Sequence, residues 1–415
     1  MFANKKVHIL ECEGLKEIKT AIFDILEHYT PILLIARDAR ILLKPNLNSN
    51  MNALSGNTTD LRIIASVVEF LRNAGCTRVT IGEGTNSGFY RNNINVISRL
   101  RVGELAKYYG IKVIDLNYSK QVNIDFEEGI KAGLAREVIE VDILINMPKL
   151  KTHFEAGMSV CLKNLMGCLV GQKNKKKTHR SLANNILHIN EHIKPQLHIV
   201  DGLIAMEGLG PTRGKPKKMG LILVGTNPYL IDMVCAKIAK FDYRLISTLK
   251  LGEEKGIITK DDHEYIEKLD LMASSKEFEK PKANFLASFV HSPKRQRYFQ
   301  AIRNTPLFNY LSSTSFFGKM LFLIGLRQDH FIKDEMDCKH LYFEKSLCKE
   351  GCTRCRDYCP IGLILPDLLG DKINGCIGCL YCFLVCPTQA IKFEGELGFM
   401  AEQLRQYDRI VRRIA

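Results

Sequence analysis

Residues 142–153 read DILINMPKLKTH, an apolar run followed at once by a proline and several polar residues. The apolar residues Ile143 to Ile145 predict a buried strand, and Pro148 ends it because proline cannot donate to a sheet. Residues 39–46 repeat the arrangement as ARILLKPN. Along the first 270 residues such strands alternate with helical patterns, which predicts an α/β fold with a mostly parallel sheet flanked by helices.

The other elements of this alternation follow from the same periodicity. The predicted strands are Val7–Glu11, Ala39–Lys44, Arg78–Gly82, Ile111–Asp115, Asp142–Asn146, Leu197–Asp201 and Met219–Val224. The predicted helices are Leu15–Tyr29, Thr59–Asn73, Ser181–Ile193 and Pro228–Lys240. Polar clusters directly follow several strands. Because ligands of open α/β sheets bind beyond the carboxyl ends of the strands, we expect the active cleft there.

The composition limits the class of protein. The chain has 415 residues, more than one typical domain, and its 59 Lys and Arg against 45 Asp and Glu give a net charge of +14. Such a charge favours anionic partners. A hydrophobic content of 46% excludes disorder, collagen and coiled coil as the main architecture. The first residues lack a signal-peptide pattern and no apolar run reaches about 18 residues, so we expect a cytoplasmic protein.

The 14 cysteines are too many for a reduced compartment unless some bind metal. Two runs near the end of the chain have ligand spacing. Residues 376–387 give C-x2-C-x2-C-x3-C-P, and residues 348–360 give C-x3-C-x2-C-x3-C-P. The first spacing of the second run contains one extra residue, within Lys349–Gly351. Cys₄ zinc sites and a module with one lost cluster are the alternatives, and C-x3-C-x2-C also matches radical-SAM spacing.

These runs resemble those of bacterial-type ferredoxins with two clusters, over residues 340–395. Three thiolates on a tight loop can reach three corners of one iron–sulfur cube, while the fourth, before proline, points to the other cube. One [4Fe–4S] cluster is thereby assigned to Cys348, Cys352, Cys355 and Cys386. The other is assigned to Cys376, Cys379, Cys382 and Cys359. The resemblance implies a small α+β domain that carries one electron per cluster at low potential.

Residues 40–240 resemble the family known as domain of unknown function 362. Four blocks carry the resemblance: Leu43–Asn46, Asn146–His153 with Leu162–Gly167, Asp201–Pro211 and Gly225–Asp232. Members often carry ferredoxin modules, but the family brings no reaction with it. Asn227 departs from the pattern, which more often has an acidic residue there. If that position binds metal, one carboxylate is missing.

The same blocks supply candidate site residues. Lysines in a cleft hold carboxylates or phosphates, amides and hydroxyls bind the same groups, and histidine transfers protons. The predicted catalytic residues are Lys151, His153 and Lys163. The predicted substrate-binding residues are Lys44, Asn46, Lys149, Thr152, Asn164, Asp201, Glu207 and Asp232. The carboxylates among them could also bind a hard cation. The motifs call for neither a flavin nor a divalent cation, and the sequence leaves both open.

The remaining segments suggest partners. Residues 271–340 are basic and aromatic, which predicts a helical connector, with a docking surface for a membrane or a partner as the alternative. The basic run Lys173–Arg180 is predicted to be a loop that could attract nucleic acid or an acidic redox protein. Nucleic acid is disfavoured because no recognised nucleic-acid-binding fold accompanies the run. The predicted domains are 1–270 (α/β), 271–340 (connector), 341–395 (ferredoxin-like) and 396–415 (C-terminal helix).

Together these features predict an oxygen-sensitive iron–sulfur oxidoreductase of anaerobic conditions. Electrons would pass from a donor protein through two [4Fe–4S] clusters to an anionic small molecule or metal centre in the α/β domain. One alternative is a non-catalytic electron carrier or adaptor that docks a partner enzyme. Another is a non-redox enzyme in which the clusters are structural.

Overall fold

The structure is a computed structural model that describes residues 6–33, 37–126, 129–281, 305, 320, 331–365 and 375–415. We call residues 6–281 the α/β region and residues 331–415 the C-terminal region. Most of the predicted connector, residues 271–340, lies outside the described residues. Within the described part of the chain, no helix is both long enough and apolar enough to cross a bilayer.

The bounds of the strands are as follows. The strands are β1 (His8–Glu11), β2 (Arg40–Pro45), β3 (Arg78–Glu83), β4 (Lys112–Asp115), β5 (Gln121–Asp125), β6 (Lys131–Ala135), β7 (Ile143–Met147), β8 (Lys149–His153), β9 (Gly157–Ser159), β10 (Leu197–Glu207), β11 (Lys215–Gly225), β12 (Asp337–Phe343) and β13 (Ile391–Glu396).

The bounds of the α-helices complete the description. The helices are α1 (Leu15–Leu33), α2 (Leu61–Asn73), α3 (Ser87–Arg91), α4 (Val96–Arg99), α5 (Val102–Tyr109), α6 (Arg136–Glu140), α7 (Cys161–Asn164), α8 (Gly171–Thr178), α9 (Leu182–His192), α10 (Pro228–Ile238), α11 (Ser247–Glu254), α12 (Lys260–Lys268), α13 (Arg354–Asp357), α14 (Tyr381–Val385) and α15 (Met400–Ile414).

A mixed sheet of mostly parallel strands organises the α/β region. Its order is β1-β11-β10-β7-β2-β3-β4, and β8 continues the sheet beside β10 and pairs with β9. The neighbours from β10 to β4 are parallel, whereas β11 runs antiparallel to both β10 and β1. The predicted α/β fold with flanking helices is therefore confirmed.

The two faces of the sheet bury two separate cores. Along β2, Ile41 and Leu43 face the core built with α1 and α2, while Leu42 faces the core built with α9 and α10. This alternation is the period of two that a strand buried on both faces requires. The first core also contains residues of the C-terminal region, such as Tyr358 and Tyr381.

Short side-chain caps explain where two important helices begin. The Asp60 carboxylate accepts from the Arg62 amide at the start of α2. The Asn227 side chain accepts from the amides of Tyr229 and Leu230 at the start of α10. Asn and Asp are preferred at this position because their oxygens satisfy free helix amides. Asn227, the departure from the family pattern, therefore has a structural role.

One predicted strand end and one predicted loop differ markedly from the structure. Strand β10 does not end at Asp201 but runs to Glu207. Its second half pairs with β11, with Glu207 opposite Lys215, and β8 adds a parallel partner, with Asp201 opposite Lys149. The predicted basic loop is instead helix α8. Its Lys175 points inward and donates to the carbonyl oxygens of Gly84 and Thr85. The run is therefore not a free basic surface along its whole length.

The C-terminal region is a small α+β unit fixed to the α/β region. Strands β12 and β13 pair antiparallel, and the short helices α13 and α14 carry cysteines. Helix α15 bonds the unit to the α/β region. Its Gln403 accepts from the Asn52 amide at 2.9 Å and donates to the Asn50 carbonyl at 2.7 Å, and the Tyr407 hydroxyl donates to the Gly214 carbonyl at 2.9 Å.

Candidate functional site

A buried ion pair joins the strands beyond the end of β7. The Lys149 ammonium lies 2.8 Å from a carboxylate oxygen of Asp201, and both side chains are 0% exposed. The same carboxylate accepts from the amides of Asp60 and Leu203. Burial raises the pKa of Asp201, with the Asp60 charge acting in the same direction and Lys149 opposing them. The predicted site residues Lys149 and Asp201 are therefore paired with each other.

A second buried pair lies at the ends of β2 and β3. The Lys44 ammonium donates to Glu83 at 2.8 Å and to the Pro45 carbonyl at 3.0 Å. Glu83 also accepts from the Leu47 amide. A Cβ at Gly167 would stand 1.9 Å from the other Glu83 oxygen, so only glycine fits there. Lys44 therefore neutralises Glu83 and does not face an open cleft.

An amide network connects the predicted residues Lys151, Asn46 and Asn164. Lys151 donates to the Asn46 side chain at 3.0 Å and to the Asn57 carbonyl at 2.8 Å. Asn46 donates to Asn164 at 2.8 Å, and Asn164 donates to Asn146 at 2.7 Å. The three side chains therefore lie together beyond the end of β2. Their mutual bonds rigidify the loop that contains Asn57.

The predicted proton-transfer residues lie beside this network. The His153 Nδ1 accepts from the amides of Glu155 and Ala156, which places the proton of a neutral ring on Nε2. Burial, then the charges of Lys163, His179 and Lys151, hold the pKa of His153 well below its usual range. Burial also lowers the pKa of Lys163. His153 is therefore uncharged near neutral pH, which favours a hydrogen-bonding role over that of a cationic acid.

Asp60 and Arg62 form a buried pair that the sequence reasoning missed. Their side chains pair at 2.8 Å and are 1% exposed each. Arg62 also donates to the Asp357 carbonyl and lies 4.0 Å above the Tyr358 ring. Burial alone would raise the pKa of Asp60, but Arg62 more than offsets it and the pKa is lowered. A signal was available, since D-x-R follows the polar run Asn57–Thr59 at a helix start.

Three other predicted binding residues lie apart. The Thr152 hydroxyl donates to the Gly208 carbonyl at 2.8 Å. Glu207 pairs with Lys217 at 2.6 Å. Asp232 accepts from the Cys161 amide at 2.8 Å, and burial raises its pKa to about 7. The carboxylates do not converge, and the described residues contain no group of three His, Cys, Asp or Glu placed to hold one metal ion.

A cavity separates the α/β region from the second cysteine loop, and we call it the junction cavity. Its empty space is about 400 Å³, a volume that includes solvent open to the outside. The α/β region contributes polar loop residues, including Asn50 and Thr58, and the two arginines Arg99 and Arg101. The C-terminal region contributes Gly378 to Tyr381, with Cys379 among them. The cavity therefore brings a predicted cluster ligand next to the loops at the strand ends.

All fourteen cysteines lie in described segments, and each is unpaired. Cys348 and Cys355 both lie in the electrostatic field of Cys352 and Cys386. These are the four thiols that the spacing assigned to one cluster. Burial and then the neighbouring thiols raise the pKa of Cys355 to about 11. Gly351, with φ of 74°, accommodates the extra residue of this first loop.

The other four thiols also lie together. Cys382 lies in the field of Cys379, Cys376 and Cys359, and burial is the main cause that raises its pKa. All four line one apolar cavity, whose empty space of about 380 Å³ includes open solvent. Cys355 also acts on Cys382, so the two groups adjoin. Repulsion among four clustered thiolates is unfavourable unless cationic metal compensates for it, and this donor chemistry suits an iron–sulfur cluster.

Backbone amides point at several of these sulfurs. Leu363, Gly378 and Ala390 donate to Cys359, Cys376 and Cys386 at 3.3, 3.4 and 3.1 Å. Such bonds stabilise thiolate ligands and influence cluster potentials. A zinc ion needs all its sulfurs within about 2.3 Å, whereas a cube distributes four thiolates over four irons. Within the described residues, no three of these thiols are placed to hold a single ion.

Comparison with known proteins identifies part of the chain. Residues 41–237 match the family model of the Domain of unknown function (DUF362), which confirms the predicted domain there. The ferredoxin-like part remains a prediction. The chain is 28% identical over 229 residues to the Thylakoid-associated protein sll1697 of Synechocystis sp., covering 52% of this chain and 68% of that protein.

One solved structure shows a weak likeness. It is the lactate racemase apoprotein from Thermoanaerobacterium thermosaccharolyticum, with 10% sequence identity and a TM-score of 0.35. The aligned part covers 56% of this chain and 57% of that chain.

Proposed function

We propose that this chain is an iron–sulfur oxidoreductase that passes electrons from a donor protein, through two [4Fe–4S] clusters, to an anionic small molecule in the junction cavity. Cys348, Cys352, Cys355 and Cys386 would hold one cluster, and Cys359, Cys376, Cys379 and Cys382 the other. Each bound cluster would supply reversible one-electron transfer at low potential. The donor protein is oxidised and the small molecule is reduced.

The position of Cys379 carries the proposal. Cys379 lines both the cavity of the second thiol group and the junction cavity. The junction cavity therefore lies directly between the second thiol group and the polar loop at the strand ends. This arrangement is what electron delivery into the α/β region requires, since the acceptor must sit close to the last cluster.

The α/β residues would shape and orient the acceptor. Lys151 fixes the Asn57 carbonyl, next to Thr58 and Thr59, which line the junction cavity. Arg101 brings positive charge to the same cavity, which suits a carboxylate or phosphate group. The buried pair Lys149–Asp201 holds the Asp60 amide at the base of this loop. These residues act by positioning, so the lysines predicted to contact substrate instead support the loop that does.

The test combines spectroscopy with a change of cavity shape. Anaerobically reconstituted wild-type protein is expected to show low-potential EPR signals on reduction, and mass spectrometry should find an anionic metabolite in anaerobically purified protein. Leu100 lines the junction cavity, so Leu100→Trp should keep both signals but lose the metabolite and reoxidation by it. The matched control Leu245→Trp changes a leucine that is 54% exposed and should behave as wild type.

Two outcomes would contradict the proposal. Absence of low-potential EPR signals after reconstitution would remove the electron path. Equal metabolite content and equal reoxidation in wild type and Leu100→Trp would show that the junction cavity is not the acceptor site.

A second function, an electron carrier or adaptor that docks a partner enzyme, has one observation in its favour. Lys44 and Lys149, which would have attracted substrate in an open cleft, are fully buried and paired. Stable co-purification with a larger enzyme, together with reduced clusters that no small molecule reoxidises, would support this function over the first.

A further inference from the structure

Arg101 lies against the second cysteine loop. It lines the junction cavity together with Gly378 and Cys379. Its Nε, Cζ and Nη2 atoms stand 3.8–3.9 Å from the position that a Cβ on Gly378 would take. The guanidinium therefore contacts the segment between Cys376 and Cys379, from the side of the α/β region.

The hydrogen bonding of Arg101 is incomplete, in contrast to its neighbour Arg99. Arg99 pairs with Glu335 at 2.7 Å and donates to the carbonyl of Ile332 at 2.8 Å. The Arg101 Nε, by contrast, is buried and has no hydrogen-bond partner. A buried donor without an acceptor is energetically unfavourable. The presence of such a donor at a cysteine loop therefore needs an explanation.

The backbone on both sides of the contact is unusual. Arg101 has φ of 61° and Leu380, in the cysteine loop, also has φ of 61°. Residues other than glycine rarely adopt this left-handed conformation, and those that do are concentrated at functional sites. The fold thus accepts strain in both segments that meet at the junction cavity.

The charge of Arg101 reaches the thiols. Burial raises the pKa of the Cys338 thiol, while Arg101 acts to lower it and Cys376 acts to raise it. Arg101 and Cys376 therefore lie within electrostatic range of the same sulfur. Beside the first thiol group, Arg412 donates to the Cys386 carbonyl, but Asp408 pairs with it at 2.7 Å. The charge on that side is compensated.

We propose that Arg101 raises the reduction potential of the cluster held by Cys359, Cys376, Cys379 and Cys382, through its positive charge and its free N–H. The inference rests on the proposed function for the presence of that cluster. Reduction adds a negative charge, and a nearby fixed positive charge stabilises the reduced form, most strongly where water is excluded. Electrons entering at the exposed first loop would then favour the cluster beside the junction cavity.

An EPR-monitored redox titration of the anaerobically reconstituted full chain tests this. Arg101→Gln should shift one midpoint potential to a more negative value and leave the other unchanged. Arg101→Lys, which keeps the charge but not the Nε donor, should shift the same midpoint by less. The control Arg405→Gln removes an exposed arginine of α15 and should reproduce both wild-type midpoints.

Unchanged midpoints in Arg101→Gln with both clusters present would overturn the inference, as would equal shifts of both clusters. If Arg101→Gln fails to hold two clusters, the titration of Arg101→Lys decides, and wild-type midpoints in it overturn the inference. Failure of the proposed function looks different, because wild-type protein would then lack the EPR signals altogether or would not transfer electrons to a small molecule.

Discussion

The α/β region and the C-terminal region treat their ionisable groups in opposite ways. In the α/β region, buried charges neutralise each other, as in the pairs Lys149–Asp201 and Lys44–Glu83, each at 2.8 Å. In the C-terminal region, eight thiols collect in two groups whose members disfavour ionisation of one another, as at Cys355 and Cys382. The first region neutralises these charges within the chain, whereas the thiol groups of the second are suited to an added cation.

This difference indicates which of the two regions is expected to depend on a bound ligand. A buried ion pair made within the chain is destroyed by removing one partner, but it requires nothing from solution. A group of thiols is stabilised by metal, so its stability is expected to depend on metal supply. The comparison predicts that the two regions respond to different perturbations, and three experiments test this prediction.

The largest effect is expected from loss of a cysteine in the second group. Cys379→Ser should halve the iron content and abolish electron delivery to the small molecule, while the unfolding of the α/β region changes little. Cys352→Ser should also halve the iron content but retain delivery from a chemical reductant, because the second group is intact. Iron analysis and reoxidation kinetics measure both.

Cys338→Ser provides the matched control for these variants. Cys338 lies near Cys376 but has no assigned ligand role, so its iron content should equal that of wild type. Persistent turnover in Cys379→Ser would instead indicate a non-redox enzyme with structural clusters.

The next effect concerns the α/β region alone. Lys149→Met leaves the Asp201 carboxylate buried without its cation, and we expect a loss of about 3–5 kcal/mol in the free energy of unfolding. Chemical denaturation of the cluster-free protein measures it. Arg40→Met breaks the exposed pair Arg40–Asp142, which water and salt screen, and should cost far less. Equal losses in both variants would remove the distinction between buried and exposed pairs.

The smallest effect concerns pH. The pKa of Asp232 is about 7 in the folded state, above the ordinary value of 3.8, so the folded state holds the proton more tightly than the unfolded state. Its contribution to stability is complete below about pH 4 and is lost as the pH rises through about 7, at roughly 1 kcal/mol per pH unit.

Asp232→Asn cannot lose a proton and should remove this slope. Unfolding curves between pH 4 and pH 8 compare it with wild type and with the exposed Asp24→Asn as a control. A wild-type slope in Asp232→Asn would show that another group titrates in this range.

Much of the fold could be predicted because apolar periodicity is local. The strand predicted at Arg78–Gly82 is observed as Arg78–Glu83, and the helix predicted at Pro228–Lys240 is observed as Pro228–Ile238. The continuation of β10 to Glu207 was not predictable in this way. It depends on pairing with β11 and β8, and no pattern within Leu197–Glu207 indicates those neighbours.

The site was predicted less completely for the same reason. The pattern selected Lys151, Asn46 and Asn164 as candidate site residues, and their side chains bond to one another in the structure. It left the lysines open to solvent, since nothing in a sequence shows which carboxylate will neutralise which ammonium. Arg101 was missed altogether, because its relation to Gly378 arises only when two distant segments meet.

Helix α15 bonds to both regions at once, through Gln403 and Tyr407 on one side and Arg412 on the other. It therefore links the α/β region to the rest of the C-terminal region. A protease cut just before Met400 would release this helix and expose the contact between the two regions. Water and oxygen would then have a route toward the second thiol group.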